Sequence, residues 1–245
     1  KEFTDMPFLI RVEEENGYLQ PGRFLNAKDL GKGGEYSEFK QVLIDENSKT
    51  LVIPNGTLGD RHGNPQKWNL KMENSETGAP ISPQLSVYDQ RENVAIVKLP
   101  YFGDTEHEGM IDRAIPTITV QTADGPVQVT TVFDLLVASY GLDRGLGGEV
   151  ATSYEDNVPY TPAWQEKITG VKAEVAISTA REFADNSIKT KGRSMIIMGG
   201  GINHWYHADI LYRTILNIVL FTATEGRNGG GWAHYVGQEK LRPVE

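Results

Sequence analysis

Apolar and polar residues alternate in short runs along the first half of the chain. Phe8–Val12, Gln41–Asp45, Thr50–Pro54, Gln84–Tyr88 and Val94–Leu99 are rich in branched and aromatic residues and predict strands. Polar, turn-rich stretches separate them at Asn55-Gly56, Asp60–Gln66 and Asn74–Pro80, so Lys28–Asp112 is expected to be the least regular part. Thr117–Val120 and Val127–Thr130 flank Ala123-Asp124-Gly125-Pro126. Asp-Gly between two β-branched runs predicts a hairpin.

The period then changes from two to that of a helix. Thr131 is placed to cap a helix running to Tyr140, with Gly141 as its left-handed stop. Leu142–Val158 reads as a loop rich in glycine and acid. Thr161-Pro162 opens a short helix ending at Gly170, since an oxygen cap precedes a proline in the first turn. A second helix is expected from Ala173 to about Asp185, with Val175, Ala176, Thr179, Ala180, Phe183 and Ala184 at helical spacing. Ser194–Met198 is a short apolar run that enters Gly199-Gly200-Gly201, and a third helix should follow from Trp205 to Phe221. Its Leu211, Ile215, Ile218, Val219 and Thr222 make one packed face. Gly226 and Asn228–Gly231 read as a flexible loop ending in Trp232-Ala233-His234-Tyr235. Helix, strand, glycine turn, helix is the α/β pattern. The fold class is therefore α/β, with a β-rich, irregular first half followed by a helix–strand–helix part. We expect the division at residues 1–116 and 117–245.

Composition narrows the function classes. The 245 residues carry 24 Lys plus Arg against 33 Asp plus Glu, a net charge of −9. That balance argues against a general nucleic-acid binder, and so no nucleic-acid partner is expected. It also argues against adhesion to an anionic membrane. There is no cysteine, hence no disulfide, thiolate zinc site or cysteine-held iron–sulfur cluster in the chain. The longest apolar stretch, Ile215–Ala223, is interrupted by Asn217 and is far short of the ~20 residues of a membrane helix. The chain begins with Lys and ends Arg-Pro-Val-Glu, which reads as a piece cut from something longer.

The chemistry concentrates near the end. A strand running into three glycines and then a helix can cradle a phosphate, because glycine admits close approach and a helix start presents free N–H groups. Three glycines also simply make a tight turn. The strict dinucleotide fingerprint fails here, since its third glycine position is His204. Asn203-His204-Trp205-Tyr206-His207 follows, and three of the five histidines lie within 204–234. His204 and His207 share a helix face only if the helix starts early, and that pair suits a metal only with further ligands nearby. Hydrogen-bonded structure is the plainer role for such a pair. Arg227-Asn228-Gly229-Gly230-Gly231-Trp232 is a flexible loop or a backbone contact to a large ligand. The two glycine turns flank one helix of about 17 residues, so they lie roughly 25 Å apart, too far for one small ligand but within reach of a long dinucleotide. Asp104, Glu106, His107 and Glu108 make either a divalent-ion loop or a solvated acidic one, and Glu13-Glu14-Glu15 a solvated charge run.

The second half also resembles a known family. Tyr160-Thr161-Pro162-Ala163-Trp164, Ile168-Thr169-Gly170-Val171 and Ala180-Arg181-Glu182-Phe183-Ala184 are similar to the molybdopterin oxidoreductases. Gly192–Ile197, Asn203–His207 and Gly229–Lys240 narrow the resemblance to the catalytic alpha subunits of respiratory nitrate reductases. It is strong over 129–243 and patchy over 14–116. The resemblance implies an internal segment of a longer subunit that reduces nitrate to nitrite with electrons from quinol. It implies molybdenum on two molybdopterin guanine dinucleotides, and a 4Fe–4S cluster in the full subunit that this chain does not hold. The implied partners are the rest of the alpha subunit, an iron–sulfur beta subunit and a membrane haem gamma subunit, at the cytoplasmic face of the membrane. The residues that match the cofactor surface are Gly199, Gly200, Gly201, Asn203, His204, Trp205, His207, Gly230, Gly231, Trp232 and His234, with His204 as a catalytic candidate and no metal ligand in the chain. The competing reading is a non-catalytic α/β module that binds a nucleotide or phosphate.

Overall fold

In Asn93–Pro100 the side chains of Ala95, Val97 and Leu99 are buried while Val94 and Ile96 are exposed. That two-residue period makes a strand with one face on a core. In the computed structural model it is one of five strands closed into a barrel. The structure describes residues 1, 4–32, 34–55, 72–101 and 109–234, which fall into two compact units, Lys1–Trp164 and Gln165–Glu245.

The first unit holds β1 (Leu9–Glu15), β2 (Tyr18–Phe24), β3 (Leu43–Ile44), β4 (Leu51–Val52), β5 (Asn93–Pro100), β6 (Met110–Thr122), β7 (Gly125–Thr131) and α1 (Val132–Ser139). The barrel order is β1-β2-β5-β6-β7, with β7 pairing back onto β1. β3 and β4 form a separate pair. β6 is a single 13-residue strand, so residues 116 and 117 are neighbours within it. One buried cluster gathers Leu9, Leu25, Val42, Ile44, Val87 and Val129. A second gathers Val97, Leu99, Tyr101, Ile111 and Ile115, with Tyr160 and Trp164 packed on it.

Two strand readings change. Tyr18–Phe24 is not among the expected strands, and it forms β2. Asn16 and Gly17 both have positive φ, at 55° and 82°, and make the two-residue hairpin that brings Tyr18 opposite Glu15. Pro21 is tolerated beside a register shift in β1 between Ile10 and Val12. Conversely, Gln84–Tyr88 forms no strand, and Tyr88–Gln90 is a short 3₁₀ turn. The reason is a carboxylate. Asp134, fully buried on α1, accepts the Val87 N–H (2.9 Å) and the Ser86 hydroxyl (2.6 Å). It also accepts from the Thr131 hydroxyl (2.9 Å) and from Arg144 Nη1 (2.6 Å). The backbone of 86–87 thus bonds to a side chain rather than a neighbouring strand.

The local helix signals hold. Thr131 Oγ1 accepts the Asp134 N–H at 3.0 Å and caps α1. Gly141, at φ +70°, follows it, and a Cβ there would lie 2.9 Å from Arg113 Nη2. Arg113 is 2% exposed and donates to the Glu149 carbonyl; burial pushes its pKa down against the charge of Glu149. Burial pushes the Asp29 carboxyl up, but Arg23 and the Asn26 N–H outweigh it and hold Asp29 below the usual carboxylate range. Of the acidic run 13–15, Glu14 and Glu15 are exposed, while Glu13 is half-buried beside Arg11.

The unit boundary falls inside α2 (Pro162–Thr169), whose first turn is capped by Thr161 Oγ1 accepting the Trp164 N–H at 3.1 Å. The second unit continues with α3 (Ala173–Thr190), β8 (Met195–Met198), α4 (Ala208–Phe221) and β9 (Gly231–His234). α3 runs past Asp185 because its polar residues serve the tertiary structure. Asn186 Nδ2 donates to the Arg193 carbonyl (3.1 Å), and the Ser187 hydroxyl donates to the Thr222 carbonyl (2.6 Å). α4 starts three residues later than expected. Trp205 is extended and His207 sits at φ +60°, which breaks the helical path before Ala208. β9, read as a loop, pairs in parallel with β8. β8, α4 and β9 thus form a βαβ unit.

Candidate functional site

Parallel strands present ligands at their carboxyl edge, where chain turns and helix starts converge. In the second unit the strand register is Met195 with Gly231, Ile196 with Trp232, Ile197 with Ala233 and Met198 with His234. The carboxyl edge therefore carries Gly199-Gly200-Gly201, which follows Met198, and His234 beside it. Gly230 and Gly231 lie at the amino edge, about 13–17 Å from Gly199 along the strand at ~3.3 Å per residue, nearer than the ~25 Å expected from the length of the helix between the two turns. The sequence-derived site residues fall into two groups, and β9 is what returns His234 to the first glycine turn.

The two glycine turns are glycine-rich for different reasons. A Cβ on Gly230 would lie 1.9 Å from the Gly192 carbonyl oxygen and 2.7 Å from that of Thr224. Gly231 is at φ +82°. The fold itself demands both. Gly199 and Gly201 differ. Neither has a positive φ, and a Cβ on either would meet nothing within 4 Å. Nothing in the described residues requires glycine there, so the missing side chains leave room for something outside them.

After the turn, Ile202–His204 makes one short 3₁₀ turn, so His204 and His207 do not share an α-helix face. Asn203, His204, Trp205, Tyr206 and His207 are all exposed, with Trp205 at 62% and Tyr206 at 88%. Five consecutive exposed residues, two of them large aromatics, form a surface that water solvates poorly. The Tyr206 and His207 rings pack 4.1 Å apart. In β8, Met195 is 42% and Ile197 78% exposed, so one face of this parallel pair is bare, although parallel sheets are ordinarily covered on both.

One residue escapes the sequence reading. Tyr212, on α4, packs its ring 5.3 Å from Trp232 and 5.2 Å from His234, and its hydroxyl lies 3.2 Å from His234 Nε2. It sits one position after Leu211, beside the expected packed face rather than on it. Its tyrosine hydroxyl is the only signal, and it becomes informative only when β9 is placed beside α4.

Among the described residues no group of three or more His, Asp or Glu is placed to hold a metal ion. Asp104, Glu106, His107 and Glu108 lie outside the described residues, as do the turn Asp60–Gln66 and the end of the last motif from Tyr235 onward. No helix among the described residues is long and apolar enough to cross a membrane.

The family profile of molybdopterin oxidoreductases matches residues 30–241. The whole chain is 49% identical to a nitrate reductase alpha chain of Bacillus subtilis, over 20% of that protein's length. It is 48% identical to a respiratory nitrate reductase 1 alpha chain of Escherichia coli, with 99% of the chain and 20% of the relative covered. Identity to a nitrate reductase alpha subunit of Mycobacterium tuberculosis is 47%, again over the whole chain and 20% of the relative. The chain thus spans about a fifth of the length of the relatives it matches.

Proposed function

Because the chain belongs to the molybdopterin oxidoreductase family, we propose that it is a segment of the catalytic subunit of a molybdenum-dependent respiratory nitrate reductase. In this reading it forms part of the surface that holds the molybdenum–pterin cofactor, as two molybdopterin guanine dinucleotides. The observation that carries the reading is the carboxyl edge of β8 and β9. There Gly199 and Gly201 lack a Cβ where the fold would accommodate one, and an exposed Asn203–His207 run follows. These features fit a large, flat, anionic group. Gly199, Gly200 and Gly201 let the backbone approach it. Asn203, His204 and His207 supply hydrogen-bond donors, Trp205 an apolar surface, and His234 a further donor from the neighbouring strand. Gly230, Gly231 and Trp232 act one step back, by holding β9 in place.

When bound, the cofactor supplies two electrons and the centre at which nitrate gives up one oxygen. Nitrate reduction to nitrite also consumes two protons and yields water. His204, exposed at the turn, is the residue we assign to stabilise nitrate or deliver a proton. The protein's part is position and electrostatics. The absence of cysteine means that a 4Fe–4S cluster of the subunit would be held by other parts of it. Electrons would come from quinol through an iron–sulfur beta subunit and a membrane haem gamma subunit, which places the subunit peripherally at the cytoplasmic face of the membrane. A free-standing phosphate-binding module is disfavoured by 47–49% identity across the chain to nitrate reductase alpha chains.

The test uses the full-length protein. Molybdenum by metal analysis, pterin by fluorescence after oxidation, and nitrate consumption with a reduced viologen donor should all be positive. A protein with neither metal nor pterin and no nitrate consumption overturns the reading. In that protein His204→Ala should keep its molybdenum and lose about 10²-fold in kcat, the lower end of what a positioned proton donor contributes. Unchanged turnover at full molybdenum content removes His204 from the chemistry.

A further inference from the structure

Tyr212, Trp232 and His234 form a closed triangle of rings, with centroids 5.1 to 5.3 Å apart and tilted or edge-on to one another. Aromatic side chains favour these arrangements, and three mutual contacts leave each ring little freedom. Trp232 is half-buried and contributes bulk; its Nε1 has no partner among the described residues. His234 is exposed, and its one hydrogen bond, through Nε2, goes to the Tyr212 hydroxyl. Nδ1 has no partner among the described residues. The same residue stands in register with Met198, directly before the open glycine turn. An imidazole clamped at one nitrogen and free at the other, at a ligand-facing edge, is arranged to direct the free nitrogen outward.

We propose that Tyr212 is a positioning residue for His234. Its hydroxyl donates to Nε2, which keeps the ring proton on Nδ1, and Nδ1–H then donates to an acceptor oxygen of the cofactor beside Gly199–Gly201. The hydrogen bond on one ring nitrogen thus sets what the other can do. Trp232 sets the ring plane. Tyr212 itself does not touch the cofactor. This inference rests on the cofactor reading above.

A double-mutant cycle in the full-length protein tests it. Tyr212→Phe keeps the ring and removes only the hydroxyl; His234→Ala removes the imidazole. The main readout is the rate at which pterin is released on mild warming, with kcat and KM for nitrate beside it. Tyr212→Phe should raise release about fivefold, the order of one neutral hydrogen bond. It should lower kcat at unchanged KM and leave the unfolding temperature unchanged. In the His234→Ala background the same substitution should have no further effect, because the role runs through the histidine. Release at the wild-type rate, or effects of the two substitutions that simply multiply, overturns the inference while the cofactor reading stands. Wild-type protein that contains no pterin overturns the reading, and this inference with it.

Discussion

Asp134→Ala should destabilise the barrel unit by about 3–5 kcal/mol, the range for removing one partner of a buried ion pair. Asp134 is fully buried and accepts four hydrogen bonds from groups that have no other role in the strand network. Alanine removes both carboxylate oxygens and with them all four hydrogen bonds. The Val87 N–H loses its acceptor, and Arg144 loses its carboxylate. Arg144 keeps 18% of its side-chain surface in water, so part of its charge can be resolvated, which places the cost near the lower end of the range. The 84–88 segment should come loose first, since Asp134 is what replaces strand pairing there. Hydrogen exchange on the full-length protein should show the Val87 amide unprotected, together with a lower unfolding temperature. Ser86→Ala removes one hydroxyl donor to the same carboxylate and should cost about 1.5–2 kcal/mol, because the acceptor is charged. A loss below about 1 kcal/mol for Asp134→Ala would mean that packing of Val87, not the carboxylate, holds the segment.

Gly230→Ala should cost about 3 kcal/mol or more, at the top of the range for overpacking. The added methyl meets backbone oxygens of Gly192 and Thr224 rather than the ends of flexible side chains. Neither can retreat without disturbing the turn after α3 or the turn after α4. Gly192 is itself fixed at φ +96° by a hydrogen bond from its N–H to the Ser187 carbonyl (2.8 Å). The expected result is detachment of β9 from β8, seen as fast exchange of the 231–234 amides and cleavage in the 226–230 loop. Loss of cofactor should follow, because His234 no longer stands beside Met198. An unfolding temperature equal to that of the unmodified protein would show that this crossing of backbones is absent in solution.

The contrast between the two glycine turns also shows what sequence can reveal. Thr131 with Gly141, and Thr161-Pro162 with Gly170, were readable because a helix cap is a local device whose parts lie within a few residues. The Asp-Gly hairpin between β6 and β7 was readable for the same reason. β9 was not, since a parallel pair needs a partner on the far side of a helix, and Trp-Ala-His shows no alternation by itself. Tyr18–Phe24 is not legible as a strand because Pro21-Gly22 interrupts it, and Gln84–Tyr88 reads as one because nothing local announces that Asp134 takes the Val87 N–H. At the site, both triple-glycine turns stood out equally. Only the fold separates Gly230, which the crossing backbones require, from Gly199 and Gly201, which they do not. Tyr212, off the packed face of its helix, becomes informative only through its hydroxyl beside His234.

In the proposed function the glycine turn after β8 faces the molybdenum–pterin cofactor. The most direct measurement is the molybdenum and pterin content of the full-length Gly201→Val protein beside the unmodified one. Gly201 is at φ −58° and ψ −45°, which valine can adopt, and its Cβ direction is open. The substitution should therefore leave the unfolding behaviour of the cofactor-free protein unchanged while molybdenum and pterin fall about tenfold or more, as occupied space displaces the ligand. Full cofactor content in Gly201→Val would contradict the account and return the three glycines to the role of a plain turn.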